Sequence, residues 1–202
     1  MSSGVEDWRL ALPGYLTDET DKKTIAKELA GLMAGARRGY ILSQANDKFS
    51  GEMLQGDAWK GCPVYSFDIG GVRNVKALIL SNSCDVSLDN KRATPPKVTF
   101  APLIRLDKLE ERLLQAGLSG EAVNAKLDSI RSQIATDVFF LPAEGPLEHD
   151  YCVLLQDIHS APLARHLESA SKMFTLSMAG FYLFIFKLSI HFCRLHENVN
   201  RS

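Results

Sequence analysis

Arg73, His159 and the carboxylates Asp85 and Asp157 are the side chains of this sequence whose types suit proton transfer at a phosphodiester. A guanidinium matches phosphate oxygens through two parallel N–H donors. An imidazole, with a reference pKa of about 6.5, gives and takes protons near neutrality. Asp85 or Asp157 would orient that imidazole. Metal-free cleavage needs these parts together: a base for the attacking hydroxyl, a cation for charge on the phosphorane and an acid for the leaving oxygen. Lys91 and Arg92 are candidates for drawing in backbone phosphates, and Trp59 or Tyr65 for stacking a base. Each residue also has a structural reading. Arg73 suits a surface strand start, His159 a hydrogen bond in a buried strand, Lys91 and Arg92 a solvated turn, and the aromatics a core.

"SNSCDVS", residues 81–87, ends an aliphatic run with a cysteine beside an aspartate. A reactive thiolate needs a nearby cation or helix N-terminus, and an adjacent aspartate acts the other way. The asparagine and serines read more simply as a turn, in which such side chains bond their own backbone. "HFCRLHE", residues 191–197, sets His191, Cys193, His196 and Glu197 close together. On a helix Cys193 would share a face with His196 and Glu197. Structural zinc usually takes its ligands from two separated pairs, and no second tight pair exists, so neither metal nor cofactor is expected. The chain has no Walker loop, no G-x-G-x-x-G after a strand, no HExxH and no G-x-S-x-G. This argues against nucleotide-driven, metalloprotease and α/β-hydrolase mechanisms.

The 202 residues, 46% of them hydrophobic, suffice for one substantial domain or one domain with helical additions. A net charge of −1 and a pI of about 6.5 exclude a global basic field. Nucleic-acid contact would therefore need a local patch. Cys62, Cys84, Cys152 and Cys193 are widely spaced with no CxxC pair, against a disulfide framework. The opening "MSSGVEDWRLALPGYLTDE" has charges where a signal peptide has an apolar run. Together these suggest a cytoplasmic protein. The uncharged "MFTLSMAGFYLFIF", residues 173–186, falls short of the roughly 20 residues that span a bilayer. It is expected as a buried core or dimer helix rather than a membrane anchor.

The elements that must position these side chains follow from periodicity. After a turn at Pro13 and Gly14, "TDETDKKTIAKELAGLMAGARRG" reads as a helix capped by Thr17 or Asp18. Its apolar face holds Ile25, Leu29, Leu32 and Met33, and Gly39 stops it. "GDAWKGCPVYSFD" and "KVTFAPLIRL" read as strands, with Pro102 suited to an edge or bulge. The unbroken apolar "VKALILS" reads as a strand buried on both sides. "DKLEERLLQAG" and "SGEAVNAKLDSIRSQI" are helical, the second capped by Ser119. "DVFFLPA" and "DYCVLLQDI" return to strand, and the chain from "SAPLARHLESASKMF" onward reads as helical. The expected class is α+β, a small β-barrel or strongly bent sheet decorated by helices. Its expected parts are residues 1–50, a barrel-like domain at 51–167 with a helical insertion at 107–135, and a C-terminal helix within 168–202.

"GD" at residues 56–57, "GGVR" at 70–73, "ALILSN" at 77–82, "VTFAPLI" at 98–104 and "VLLQDIHSAPLARHL" at 153–167 form an ordered set. In order and spacing they resemble the PemK/MazF family of toxin endoribonucleases, over about half the chain. The resemblance implies an SH3-like barrel, metal-free cleavage of single-stranded RNA, a homodimer and an antitoxin-like or assembly partner. The family's arginine falls at Arg73, or at Lys76 in its place. Its strand-ending threonine falls at Ile104, or Arg105 in a shifted register, and neither is a hydroxyl. Its Q-I-R-T reads Asp157, Ile158, His159 and Ser160 here. The expected catalytic set is Arg73, His159 and Asp85. The expected substrate contacts are Lys76, Asn82, Ser160, Lys91 and Arg92. The missing threonine and the near-neutral charge favour an alternative, a non-catalytic SH3-like barrel acting as a protein-binding or assembly module. A membrane-associated accessory protein using residues 173–193 is a third reading.

Overall fold

The aliphatic run at residues 77–80 is buried on both faces near the middle of a seven-stranded antiparallel sheet. The structure is a computed structural model in which residues 19–42, 49, 51–67, 69–87, 90 and 92–193 are described. In chain order the elements are α1 (Glu19–Met33), β1 (Ala58–Ser66), β2 (Gly71–Ile79), α2 (Ser83–Val86), β3 (Lys97–Arg105), α3 (Leu106–Gln115) and α4 (Gly120–Arg131). They continue with β4 (Val138–Leu141), β5 (Tyr151–Leu154), β6 (His159–Pro162), α5 (Leu163–Ser169), β7 (Ser171–Phe174) and α6 (Met178–Phe192). The strands lie in the order β4-β5-β3-β2-β1-β7, with β6 also paired to β3. The class is α+β, and the sheet is open, with β4 and β7 at its edges.

Strand side chains alternate between faces, and β2 uses this to join two cores. Ala77 and Ile79 pack with Trp59, Cys62, Val64, Val98 and Phe100. Leu78 and Leu80 pack on the other side with Leu29 and Leu32 of α1 and Leu183 and Phe184 of α6. The first and last helices are therefore walls of the central core rather than appendages. A third core seats the 107–135 insertion, with Leu106, Leu109, Val123, Leu127 and Ile130 against Val138, Phe140 and Cys152. Ser119 caps α4 as its spacing predicts, its Oγ accepting from the Ala122 amide at 3.3 Å. In α6, Gly180 faces the Tyr40 carbonyl so closely that a Cβ would lie 2.4 Å from that oxygen. Among the described residues no helix is long and apolar enough to cross a membrane. The expected turn at Pro13 and Gly14 and the expected caps Thr17 and Asp18 lie outside the described residues.

Two local expectations are corrected. "SAPLARHLESASKMF" is not one helix, since β6 pairs with β3, β7 pairs with β1, and only α5 lies between them. Pro162 has an extended backbone at the strand-to-helix junction, and Ala170 is extended again at φ −106° and ψ 151°. Pro102, expected at an edge or bulge, lies inside β3, paired with Ala77 of β2 on one side and on the other falling between the residues that pair with β6 and those that pair with β5. Its position there shapes the site.

Candidate functional site

Proline has no amide hydrogen, and the β2–β3 ladder stops at Pro102. Ala77, Leu78 and Ile79 stand opposite Pro102, Ala101 and Phe100, and no further pairs follow. The earlier part of β2 stays with β1. The last part of β3, Leu103 to Arg105, pairs with β5 on its other side. The two strands part, and a groove of about 340 Å³ opens between them. Arg73 and Lys76 line it from β2 and Arg105 from β3, while α3 contributes Lys108 and Arg112. Tyr151 and Asp157 complete its polar lining. Five cations thus face one carboxylate on a chain whose net charge is −1. That is a local field the global balance conceals.

Some of this charge is internally matched. The Arg105 Nε donates to Asp107 Oδ1 at 3.0 Å, and Nη2 donates to the other carboxylate oxygen. This bond raises the Arg105 pKa and holds the Asp107 carboxyl below its usual range. The Lys108 ammonium donates to both Glu111 oxygens at 2.7 Å. Both pairs are solvent-exposed, so they contribute little to folding and water or a ligand can replace them. Among the described residues Arg73 and Arg112 have no carboxylate partner. The Lys76 Nζ donates to the Tyr151 hydroxyl at 3.2 Å and sits 5.3 Å from the centre of that ring. This cation–π contact fixes the ammonium without neutralising it.

An imidazole–carboxylate pair stands beside this charge. β5 and β6 both run antiparallel to β3, but out of step. From Leu103 to Phe100 β3 advances three residues, while its partner advances six, from Val153 to His159. The surplus bulges out between β5 and β6 and carries Asp157 to the groove wall. The His159 Nε2 lies 3.0 Å from Asp157 Oδ1. Its ring stacks on Phe100, with centroids 6.2 Å apart.

Of the expected residues, Arg73, Lys76 and Asp157 meet in the groove, and His159 joins them through Asp157. Asp85, Asn82 and Arg92 do not. They lie beyond the C-terminal end of β2, and roughly 10 Å of strand separates Lys76 from Ile79 alone. The carboxylate bonded to His159 is therefore Asp157 and not Asp85. Asn82 caps α2, its Oδ1 accepting from the Cys84 amide at 3.0 Å. The side chains of Asn90 and Arg92 both donate to the Cys84 carbonyl. "SNSCDVS" thus contains a single-turn helix capped by Asn82 and held by Asn90 and Arg92. Ser160 is exposed on β6 opposite Thr99, and Lys91 lies outside the described residues.

Trp59 is buried against His166 and cannot stack a base, whereas Tyr65 is exposed beside Phe67, 5.0 Å between ring centroids. The four cysteines are unpaired, and burial pushes the Cys62 and Cys152 thiols up to about 12. Among the described residues no group of three His, Cys, Asp or Glu side chains is placed to hold a metal. His196 and Glu197 lie outside them. Sequence patterning did not single out Lys108, Arg112 or Tyr151. The available signal was the four-residue spacing of Lys108 and Arg112, which sets two cations on one helix face. The chain matches no model of a known protein family and no curated protein.

Proposed function

We propose that the groove between β2 and β3 binds the backbone of single-stranded RNA, and that Asp157 at its wall and His159 held against Asp157 serve metal-free cleavage of that strand. The five cations that line the groove carry this reading, three of which, Arg73, Lys76 and Arg112, have no carboxylate partner among the described residues. A nucleic-acid backbone is the polyanion such a surface attracts. Arg73, free of any carboxylate among the described residues, would hold a phosphate by its two-pronged face. His159 would take the 2′-hydroxyl proton, with Asp157 fixing the ring's orientation, as the 2′-oxygen bonds to phosphorus and the P–O5′ bond breaks, the leaving 5′-oxygen taking a proton from water. The PemK/MazF family's threonine position falls at Ile104, or in a shifted register at Arg105, which would exchange the hydroxyl for a second guanidinium. We further propose that the bent sheet, with β3 paired in turn to β6 and β5, is a divergent form of that family's SH3-like barrel.

A second observation favours the alternative of a protein-binding module. The tip of the β1–β2 hairpin exposes Tyr65, Phe67, Ile69 and Val72, with Phe67 90% accessible. Such a patch is typical of a protein contact.

One titration separates the two readings. A labelled mixed-sequence single-stranded RNA, followed by anisotropy in EDTA, should bind the full chain with affinity falling steeply as salt rises. Each phosphate contact contributes about −0.7 to the log–log slope for single strands. The double variant Arg73→Ala/Lys76→Ala should bind ten- to a hundredfold more weakly, with a slope shallower by about 1.4. On longer incubation the wild type should yield products ending in a 2′,3′-cyclic phosphate, and His159→Ala should not. Binding that ignores both salt and these substitutions would remove the groove from consideration. Salt-dependent binding without products would leave the groove but discard cleavage.

A further inference from the structure

Away from the groove, α6 carries a lysine in an unusual place. Lys187 is only 3% exposed. Its ammonium donates to the Gln133 main-chain carbonyl and to Gln133 Oε1, both at 3.0 Å. Both partners are neutral oxygens, and among the described residues no carboxylate lies within ion-pair distance. Ammonium has three N–H donors, and the third finds no partner among the described residues. Asp137 is the acid whose field reaches Lys187, and it offsets only part of the cost of burial, which pulls the amine down to about 8. At neutral pH the group is still mainly cationic. A buried cation without an anion is a costly arrangement.

The lysine also lines a partly open cavity of about 230 Å³. Met33, Ile134, Leu183, Phe186 and Ile190 form its apolar walls, beside Gln133. An apolar cavity of about 150 Å³ is enough to admit benzene, so this one has room for a ring or a short alkyl chain with a polar head. Ile134 and Phe186 are exposed, 71% and 47%, which marks an open side between the end of α4 and α6. Gln133 itself holds a left-handed backbone, φ 58°. Its amide nitrogen donates to the Tyr40 hydroxyl at 3.2 Å and the Phe140 carbonyl at 2.8 Å. The oxygens that hold the ammonium are thereby fixed in position.

We propose that this cavity is a binding site for a small apolar carboxylate, its hydrocarbon among Leu183, Phe186 and Ile190 and its carboxylate on Lys187. The ligand would supply the anion that the fold does not.

Octanoate and the uncharged octanol are suitable probes, read by thermal shift and by calorimetry on the full chain. Octanoate should raise the melting temperature and bind at least tenfold more tightly than octanol. Ile190→Trp, which fills the cavity from its half-buried rim and keeps the lysine, should abolish both. Lys187→Met should bring octanoate down to the affinity of octanol. If Lys187→Met does not fold, Ile190→Trp and the octanoate–octanol comparison still decide. Equal binding of acid and alcohol to the wild type, octanoate binding untouched by Ile190→Trp, or no binding of octanoate would overturn the proposal. The RNA titration reads a different surface, so either result stands without the other.

Discussion

Asp57→Ala is expected to lose about 3–5 kcal/mol of folding stability, the usual result of removing one partner from a buried charge pair. Asp57 is fully buried. Its Oδ2 accepts from the Leu54 amide at 2.7 Å and lies 2.9 Å from the Lys172 ammonium. Its main chain exchanges with β2, the Ile79 amide donating to its carbonyl at 2.8 Å. One side chain thus ties the turn before β1 to the edge strand β7. Burial raises its pKa, and the Leu54 amide and Lys172 pull it down only in part. The pair is therefore a device of position more than a source of net stability. Alanine would leave the 10%-exposed Lys172 side chain with only the Phe49 and Glu52 carbonyls. Asp57→Asn keeps an acceptor for Leu54 and should cost less. Asp57→Ala/Lys172→Met should regain much of the loss, because no unpaired charge is left behind. Urea denaturation with an unchanged m-value measures all three. A loss below about 1 kcal/mol for the alanine variant would contradict the assignment of the pair as the anchor of β7.

That pair also shows where sequence patterning stops. The "GD" dipeptide was visible, but nothing in its spacing says that its partner is Lys172, 115 residues later in a segment that reads as helix. Elements with a strong local signal were legible. The aliphatic run at 77–80 is buried on both faces because four consecutive apolar residues leave no polar face to expose. α3 and α4 carry their own periodicity, and α4 its own cap. β6 and β7, four residues each, are set by the edges of β3 and β1 to which they bond. Partners of that kind are tertiary, and short strands have little intrinsic preference to reveal. The candidate site divides the same way. Arg73, Lys76 and His159 stood out as chemistry on or beside strands. The choice of Asp157 over Asp85 depends on the surplus residues opposite β3, which only the register discloses. The cations of α3 reach the groove because β3 passes into α3 without a loop, so the insertion supplies part of the site.

Lowering the pH from 7 to 4 is expected to cost the fold about 3 kcal/mol through His166 alone, with the loss confined to the window between the two pKa values of that group. His166 is fully buried in α5, its ring 5.6 Å from that of Trp59 and 5.5 Å from that of Phe100. Burial pulls its pKa from 6.5 to about 4. The folded state therefore prefers the neutral ring, and between those values the unfolded chain binds the extra proton. Stability from this group is complete above pH 6.5, falls by up to about 1.4 kcal/mol per pH unit below it, and levels off below 4. His166→Phe removes the titrating group and keeps an aromatic ring among Trp59 and Phe100, so its stability should change less with acid over that window. The difference between wild type and variant, measured by denaturant midpoints at pH 7, 5.5 and 4, isolates His166 from the carboxylates and other histidines that both proteins share. Phe100 neighbours the rings of both His166 and His159, so protonation of the buried imidazole is expected to loosen the packing that seats the imidazole beside the groove. If the groove binds RNA as proposed, that affinity should fall faster with acid in the wild type than in His166→Phe. Parallel pH profiles for the two proteins would show that His166 is not the acid-sensitive point of this core.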